Sequence, residues 1–84
     1  MIRVLFFAQL RERLGTSGMD IVYEESIETV GDLLRRLFAD NDPLWAEVLS
    51  ASNVICAVNQ QVSDMDRQLC AGDEVAFFPP VTGG

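Results

Sequence analysis

Ile2–Gln9 reads IRVLFFAQ and Glu74–Phe78 reads EVAFF, so nearly unbroken apolar runs, VLFF and VAFF, open the chain and almost close it. Runs of this kind belong to central strands covered on both faces or nearly so. The first and last strands are therefore expected side by side in the middle of one sheet. What lies between them has to supply the cover and the outer strands.

Working inward from the first strand, Leu10–Leu14 suits a brief helical turn, and Gly15 suits its C-cap. Gly15-Thr16-Ser17-Gly18 is a turn by composition, and Met19–Glu24 (MDIVYE) offers a second, partly alternating strand. Thr29 with Asp32 three residues later resembles a capping box, the shorter Asp taking the Glu position. Val30, Leu33, Leu34, Leu37 and Phe38 then recur at helical spacing, which predicts one helix packed by its apolar stripe onto a sheet. Gly31 costs that helix about 1 kcal/mol relative to Ala.

Asp42-Pro43 marks a second start, with Leu44–Leu49 a short helix whose Trp45 reads as an anchor of the core edge rather than a ligand platform. Val54–Val58 (VICAV) is a buried-type strand, Asn59-Gln60 a turn, Gln61-Val62 a short return strand, and Leu69–Asp73 the turn into the last strand. The order is β-β-α-β-β-β with small helical insertions. One main helix can cover one face of a sheet whose centre pairs the terminal strands in parallel. This is the ubiquitin-like β-grasp, an α+β architecture with a mixed five-stranded sheet, short extra helices and a flexible C-terminal tail. The expected division is a domain over residues 1–78 and a tail over 79–84.

Composition narrows the function. The chain has 84 residues, 49% of them apolar, enough for one self-supporting core and no more. No apolar run approaches the roughly 20 residues of a membrane span, and the N-terminus lacks a signal-peptide pattern; a cytoplasmic protein without a membrane partner is expected. Thirteen acids face six bases for a net charge of −7, and every base is Arg. Nucleic-acid capture needs a basic face and is excluded as a leading reading, while a basic partner surface would be attracted. Without His or Lys the commonest general base and the amine nucleophile are missing, so the chain is not expected to be an enzyme alone. Cys56 and Cys70 form no zinc or redox motif; they read as small hydrophobes in a reducing compartment, with a reactive thiol as the alternative.

The end of the chain is its unusual part. After Phe78 come Pro79-Pro80-Val81-Thr82-Gly83-Gly84. The prolines stiffen the exit and stop the strand, the glycines keep the end slim, and six extended residues span roughly 20 Å. A frayed terminus is the plain alternative, but a frayed end needs no rigid spacer. The terminal carboxylate, with a pKa of about 3.3–3.7, is an anion at neutral pH and a poor electrophile until activated, for instance as an acyl adenylate. No Lys is present to intercept such an activated end.

IRVLFFAQLRERLG at the start, AVNQ at Ala57–Gln60 and GDEVAFFPPVTGG at Gly72–Gly84 resemble the small subunit of molybdopterin synthase, over the whole chain and most specifically at its end. The resemblance implies a β-grasp sulfur carrier with no metal or bound cofactor of its own. An E1-like enzyme would adenylate Gly84 with ATP and magnesium, and a sulfurtransferase would supply sulfur to leave a thiocarboxylate. The large synthase subunit, in an implied heterotetramer, would receive the tail and hold the catalytic residues that convert cyclic pyranopterin monophosphate to the dithiolene of molybdopterin. Pro79, Pro80, Val81, Thr82 and Gly83 would form the inserted arm.

Strand parity adds a partner surface that does not depend on the resemblance. Arg3, Leu5, Phe7 and Gln9 fall on one face of the first strand and Glu74, Ala76 and Phe78 on one face of the last. If the strands are neighbours, Leu5, Phe7 and Phe78 form an exposed apolar docking patch beside the root of the tail; cover by the chain's own loops is the alternative. Three other functions stay open here: a thiamine-pathway sulfur carrier, a ubiquitin-like modifier joined to target lysines through Gly84, and an interaction module with an inert tail.

Overall fold

The computed structural model describes residues 1–51 and 53–80. Its elements are β1 (Ile2–Phe6), α1 (Ala8–Leu14), β2 (Gly18–Ile21), α2 (Val30–Asp40), α3 (Pro43–Leu49), β3 (Ile55–Val58), β4 (Gln61–Ser63) and β5 (Glu74–Phe78). The five strands form one sheet in the order β2-β1-β5-β3-β4. β1 and β5 pair in parallel at its centre, with Val4 opposite Val75 and Phe6 opposite Phe77, while the other pairings are antiparallel. The terminal strands therefore sit where their apolar runs place them.

One face of the sheet is covered. Ile2, Val4 and Phe6 of β1, Val75 and Phe77 of β5, and Cys56 and Val58 of β3 meet Val30, Leu33, Leu34 and Leu37 of α2. Trp45 and Val48 of α3 and Leu10 of α1 extend the same core. The Phe6 ring stacks on Phe77 at 6.0 Å and meets Trp45 edge-on at 5.3 Å, so Trp45 is a core residue. The other face is open, and here the expectation of near-complete cover on both sides needs correction. In β1 burial alternates, with Arg3 exposed and Leu5 only part-buried between three buried neighbours. The run VLFF is unbroken because its outward residues, Leu5 and Phe7, are apolar too, although neither belongs to the core under the helices.

Local chemistry accounts for the helix ends. The Thr29 hydroxyl accepts from Asp32 N–H at 3.2 Å, and the Asp32 carboxylate accepts from the N–H groups of Glu28 and Thr29 at 3.0 and 3.1 Å, closing the expected capping box. Partial burial alone would raise the Asp32 pKa, but hydrogen bonds from Arg35 and these N–H groups hold it below its ordinary 3.8. Val30 and Gly31 donate their N–H groups to the carbonyls of Arg67 and Met65, so the loop before β5 satisfies the first turn of α2. Asp42 caps α3 by accepting from Leu44 N–H at 2.9 Å, with Pro43 at the first helical position.

The larger departures from the boundaries read in the sequence are in β1 and β2; β3 and β4 shift by one residue each, to Ile55–Val58 and Gln61–Ser63. β1 stops at Phe6, Phe7 is the N-cap of α1, and Ala8 takes a left-handed φ of 52°. Gln9 thus leaves the strand for α1, and the parity that placed it beside Arg3, Leu5 and Phe7 ends at Phe7. β2 begins at Gly18 and ends at Ile21, leaving Val22–Glu24 outside it. Gly18 lies against β1 so closely that a Cβ there would run into the Val4 carbonyl oxygen and crowd Leu5. That close approach explains a glycine at the head of a strand.

Candidate functional site

The site is the root of the tail and the open sheet face beside it. Phe7, still extended (φ −121°, ψ 153°), donates its N–H to the Phe77 carbonyl at 3.1 Å and so continues the β1–β5 pairing one residue past the strand. Its side chain lands on the open face, where its ring lies 5.6 Å from that of Phe78. Phe7 is 42% exposed, and Leu5 and Phe78 are part-buried. The structure brings the three predicted patch residues to one end of one face. Leu5 is part-buried, its side chain reaching over Gly18 of the neighbouring strand β2.

Register shows that the apolar area is wider than the two central strands. Leu5 stands opposite Ala76, Ala76 opposite Ala57, and Ala57 opposite Val62, one row across four strands on the open face. Ile55 stands opposite Phe78 in the next row. Ala57 and Ala76 are buried although no helix covers them, small side chains sunk between larger neighbours, while Val62 is 78% exposed. At the other end of the face Arg3 pairs with Asp20 at 3.5 Å, closing the apolar rows with charge. Sequence reading missed Ile55, Ala57 and Val62 because only the register of β3 and β4 places them here.

Asn59 and Gln60 take left-handed φ values of 50° and 69°, the two-residue turn that joins β3 to β4. The Asn59 amide donates to Asp73 at 3.0 Å and accepts from Glu74 N–H at 3.0 Å, tying this turn to the start of β5. The AVNQ stretch therefore holds the sheet together at the end away from the tail.

Pro79 and Pro80 follow β5 outside any strand, and with Gln9, Leu10 and Arg13 of α1 they line a cleft of about 230 Å³. Val81, Thr82, Gly83 and Gly84, on which the sulfur-carrying and tail-insertion readings fall, lie outside the described residues. Cys56 is buried, and burial pushes its thiol up to about 11, whereas Cys70 is exposed. Among the described residues no group of three or more His, Cys, Asp or Glu is arranged to hold a metal ion, and no helix is long and apolar enough to cross a membrane.

The ThiS family model matches residues 4–84. The chain belongs to the ThiS family. It is 46% identical over 84 residues to the molybdopterin synthase sulfur carrier subunit of Escherichia coli, and 38% identical over 84 residues to that of Haemophilus influenzae, covering 100% of both chains each time. Among solved structures it resembles SAMP1 of Haloferax volcanii, with a TM-score of 0.81 at 27% identity, covering 99% of this chain and 98% of that one. The ubiquitin-like β-grasp expected from the two apolar strands is the architecture of this ThiS-family chain.

Proposed function

We propose that this chain is the sulfur carrier subunit of molybdopterin synthase, a protein co-substrate whose sulfur travels on Gly84. The carrying observation is likeness over the full length: 46% identity to a relative of that name across 100% of both chains, in a family match that runs through Gly84.

The chemistry follows from the carboxylate. An oxygen of the Gly84 carboxylate attacks the α-phosphorus of ATP and pyrophosphate leaves, on an E1-like enzyme that holds the nucleotide and magnesium. A sulfide equivalent from a sulfurtransferase then adds at the acyl carbon and AMP leaves, giving the thiocarboxylate. Glycine leaves that carbon open to attack. In the large synthase subunit the thiocarboxylate sulfur bonds to a side-chain carbon of cyclic pyranopterin monophosphate in place of an oxygen that leaves. Water cleaves the resulting thioester and releases the Gly84 carboxylate, and two such deliveries complete the dithiolene. With no His and no Lys in the chain, the imidazole or amine groups these steps call on come from the partners. Pro79 to Gly83 form the arm that reaches the partner's active site. The open-face patch of Leu5, Phe7 and Phe78 docks the body of the carrier there and on the activating enzyme, which accounts for two aromatic side chains on the sheet face away from the helices.

Intact-protein mass spectrometry tests the reading. After incubation with the activating enzyme, ATP, magnesium and a sulfur donor, the chain should gain the mass of one oxygen replaced by sulfur, and a chain lacking Gly84 should not. No gain, with the enzyme active on another carrier, would refute it. Adducts on target lysines in place of the thiocarboxylate would identify a protein modifier.

A further inference from the structure

We infer that the cleft between α1 and Pro79-Pro80 is a second contact for the protein that takes the tail, and that this partner sets an acidic side chain against Arg13. The inference rests on the reading that the tail enters a partner. Leu10 and Val48 give the cleft buried apolar anchors, and the exposed Arg13 and Gln9, one helical turn apart, give it a polar rim.

The local charge opposes that of the molecule. In a chain of net charge −7, Arg3, Arg35 and Arg36 are neutralised by Asp20, by Asp32, and by Glu24 with Asp40. Among the described residues Arg11, Arg13 and Arg67 join no ion pair, and of these three Arg13 is the one that lines the cleft. The acids of the two helices flanking the cleft, Glu12 and Glu47, are not part of its lining. A cation left without a carboxylate in so acidic a chain, beside the root of the tail, is complementary to an anion from outside. A protein that swallows the tail must close over Pro79 and Pro80, which brings its surface within reach of this guanidinium.

The arrangement also sets orientation. An acidic carrier draws a basic surface towards it from any side. At the cleft that surface meets a positive charge, so it is repelled unless a carboxylate stands at this point. Arg13 therefore favours the one pose in which the partner's acid lies beside the tail entrance and its apolar surface on Phe7 and Phe78. The guanidinium fork suits a carboxylate in two-point geometry.

The test is titration calorimetry of the full chain against the purified large synthase subunit of the same organism, at low and high salt. Arg13→Glu should weaken binding by about tenfold at low salt, with the deficit shrinking as salt rises, and Arg13→Lys should keep most of the affinity. Because Arg13 is exposed and joins no ion pair among the described residues, the thermal midpoint of Arg13→Glu should stay near that of the parent, which separates binding from folding. Phe7→Ser serves as the parallel probe of the docking reading. If Phe7→Ser weakens binding and Arg13→Glu does not, the acidic contact is refuted while the docking reading stands. If neither variant changes binding, both fall. Tighter binding by Arg13→Glu would place a cation opposite the cleft and overturn the inference.

Discussion

Replacing Phe7 by Ser tests whether the open face docks a partner, and its size can be worked from the structure. Phe7 is 42% exposed. For a side chain of about 200 Å² this leaves about 85 Å² for a partner to cover. At about 25 cal/mol per Å² the covered ring contributes about 2 kcal/mol, which corresponds to about a 30-fold rise in Kd on truncation. The fold loses a comparable amount. The rest of the side chain, about 115 Å² and including the packing on Phe78 at 5.6 Å, is worth up to about 3 kcal/mol at the same coefficient. Tm should therefore fall by roughly 10–20 °C for a domain of this size, and binding is read at a temperature where the variant is folded. Calorimetry against the large subunit reads the first quantity and thermal unfolding the second. A Kd within twofold of the parent, with the variant folded, would remove Phe7 from the interface. A collapse of Tm without a change in Kd would show that the ring is structural.

Three other outcomes are expected. Asn59→Ala removes two hydrogen bonds that tie the β3–β4 turn to Asp73 and Glu74, and puts Ala at a φ of 50°; a loss of about 1–3 kcal/mol in urea unfolding is expected. Gly31→Ala should stabilise by about 0.5–1 kcal/mol, because a Cβ there would meet Met65 and Thr29 only at ordinary contact distances of 3.5 Å and more; destabilisation would show that the α2 N-terminus is tighter than it looks. For the thiols, native alkylation at neutral pH should label Cys70 alone and denaturant should expose Cys56 as well. The Cys56 thiol, raised from 9.0 to about 11, stays neutral in the folded chain where the unfolded chain ionises. Its contribution to stability is therefore constant below pH 9 and lost as pH rises from there towards 11.

The parts of the fold legible in the sequence are those with local signals. The Thr29–Asp32 box and the Val30–Phe38 stripe place α2, Asp42-Pro43 starts α3, Gly15 ends α1 at φ 76°, and the two apolar runs place β1 and β5 at the centre. The start of α1 was not legible, because Ala8 carries no glycine or asparagine signal for its left-handed φ; the N–H of Phe7 on Phe77 and the docking of Leu10 in the core impose it. At the site, the Phe7–Phe78 pair follows from parity once β1 and β5 are neighbours. The cleft does not, since Arg13 and Pro79 are remote in the chain and no periodicity links them. Ile55, Ala57 and Val62 were hidden for a related reason. In VICAV and QV they look like any strand residues, and only register decides which face they take.

The parallel pairing of β1 with β5 sets the start of β1 and the end of β5 at opposite ends of the sheet. The Met1 carbonyl accepts from Gly72 N–H at 2.8 Å, just before β5 begins, whereas the tail leaves where β5 ends. The five residues of β5 separate these points, about 17 Å at strand rise. With no lysine in the chain, the Met1 α-amino group is its one primary amine, and Met1 is 63% exposed. An amine-reactive dye or a sensor surface therefore attaches at a single known place, at the far end of β5 from Pro79. Coupled this way, every molecule on a chip presents the exit of β5 outward.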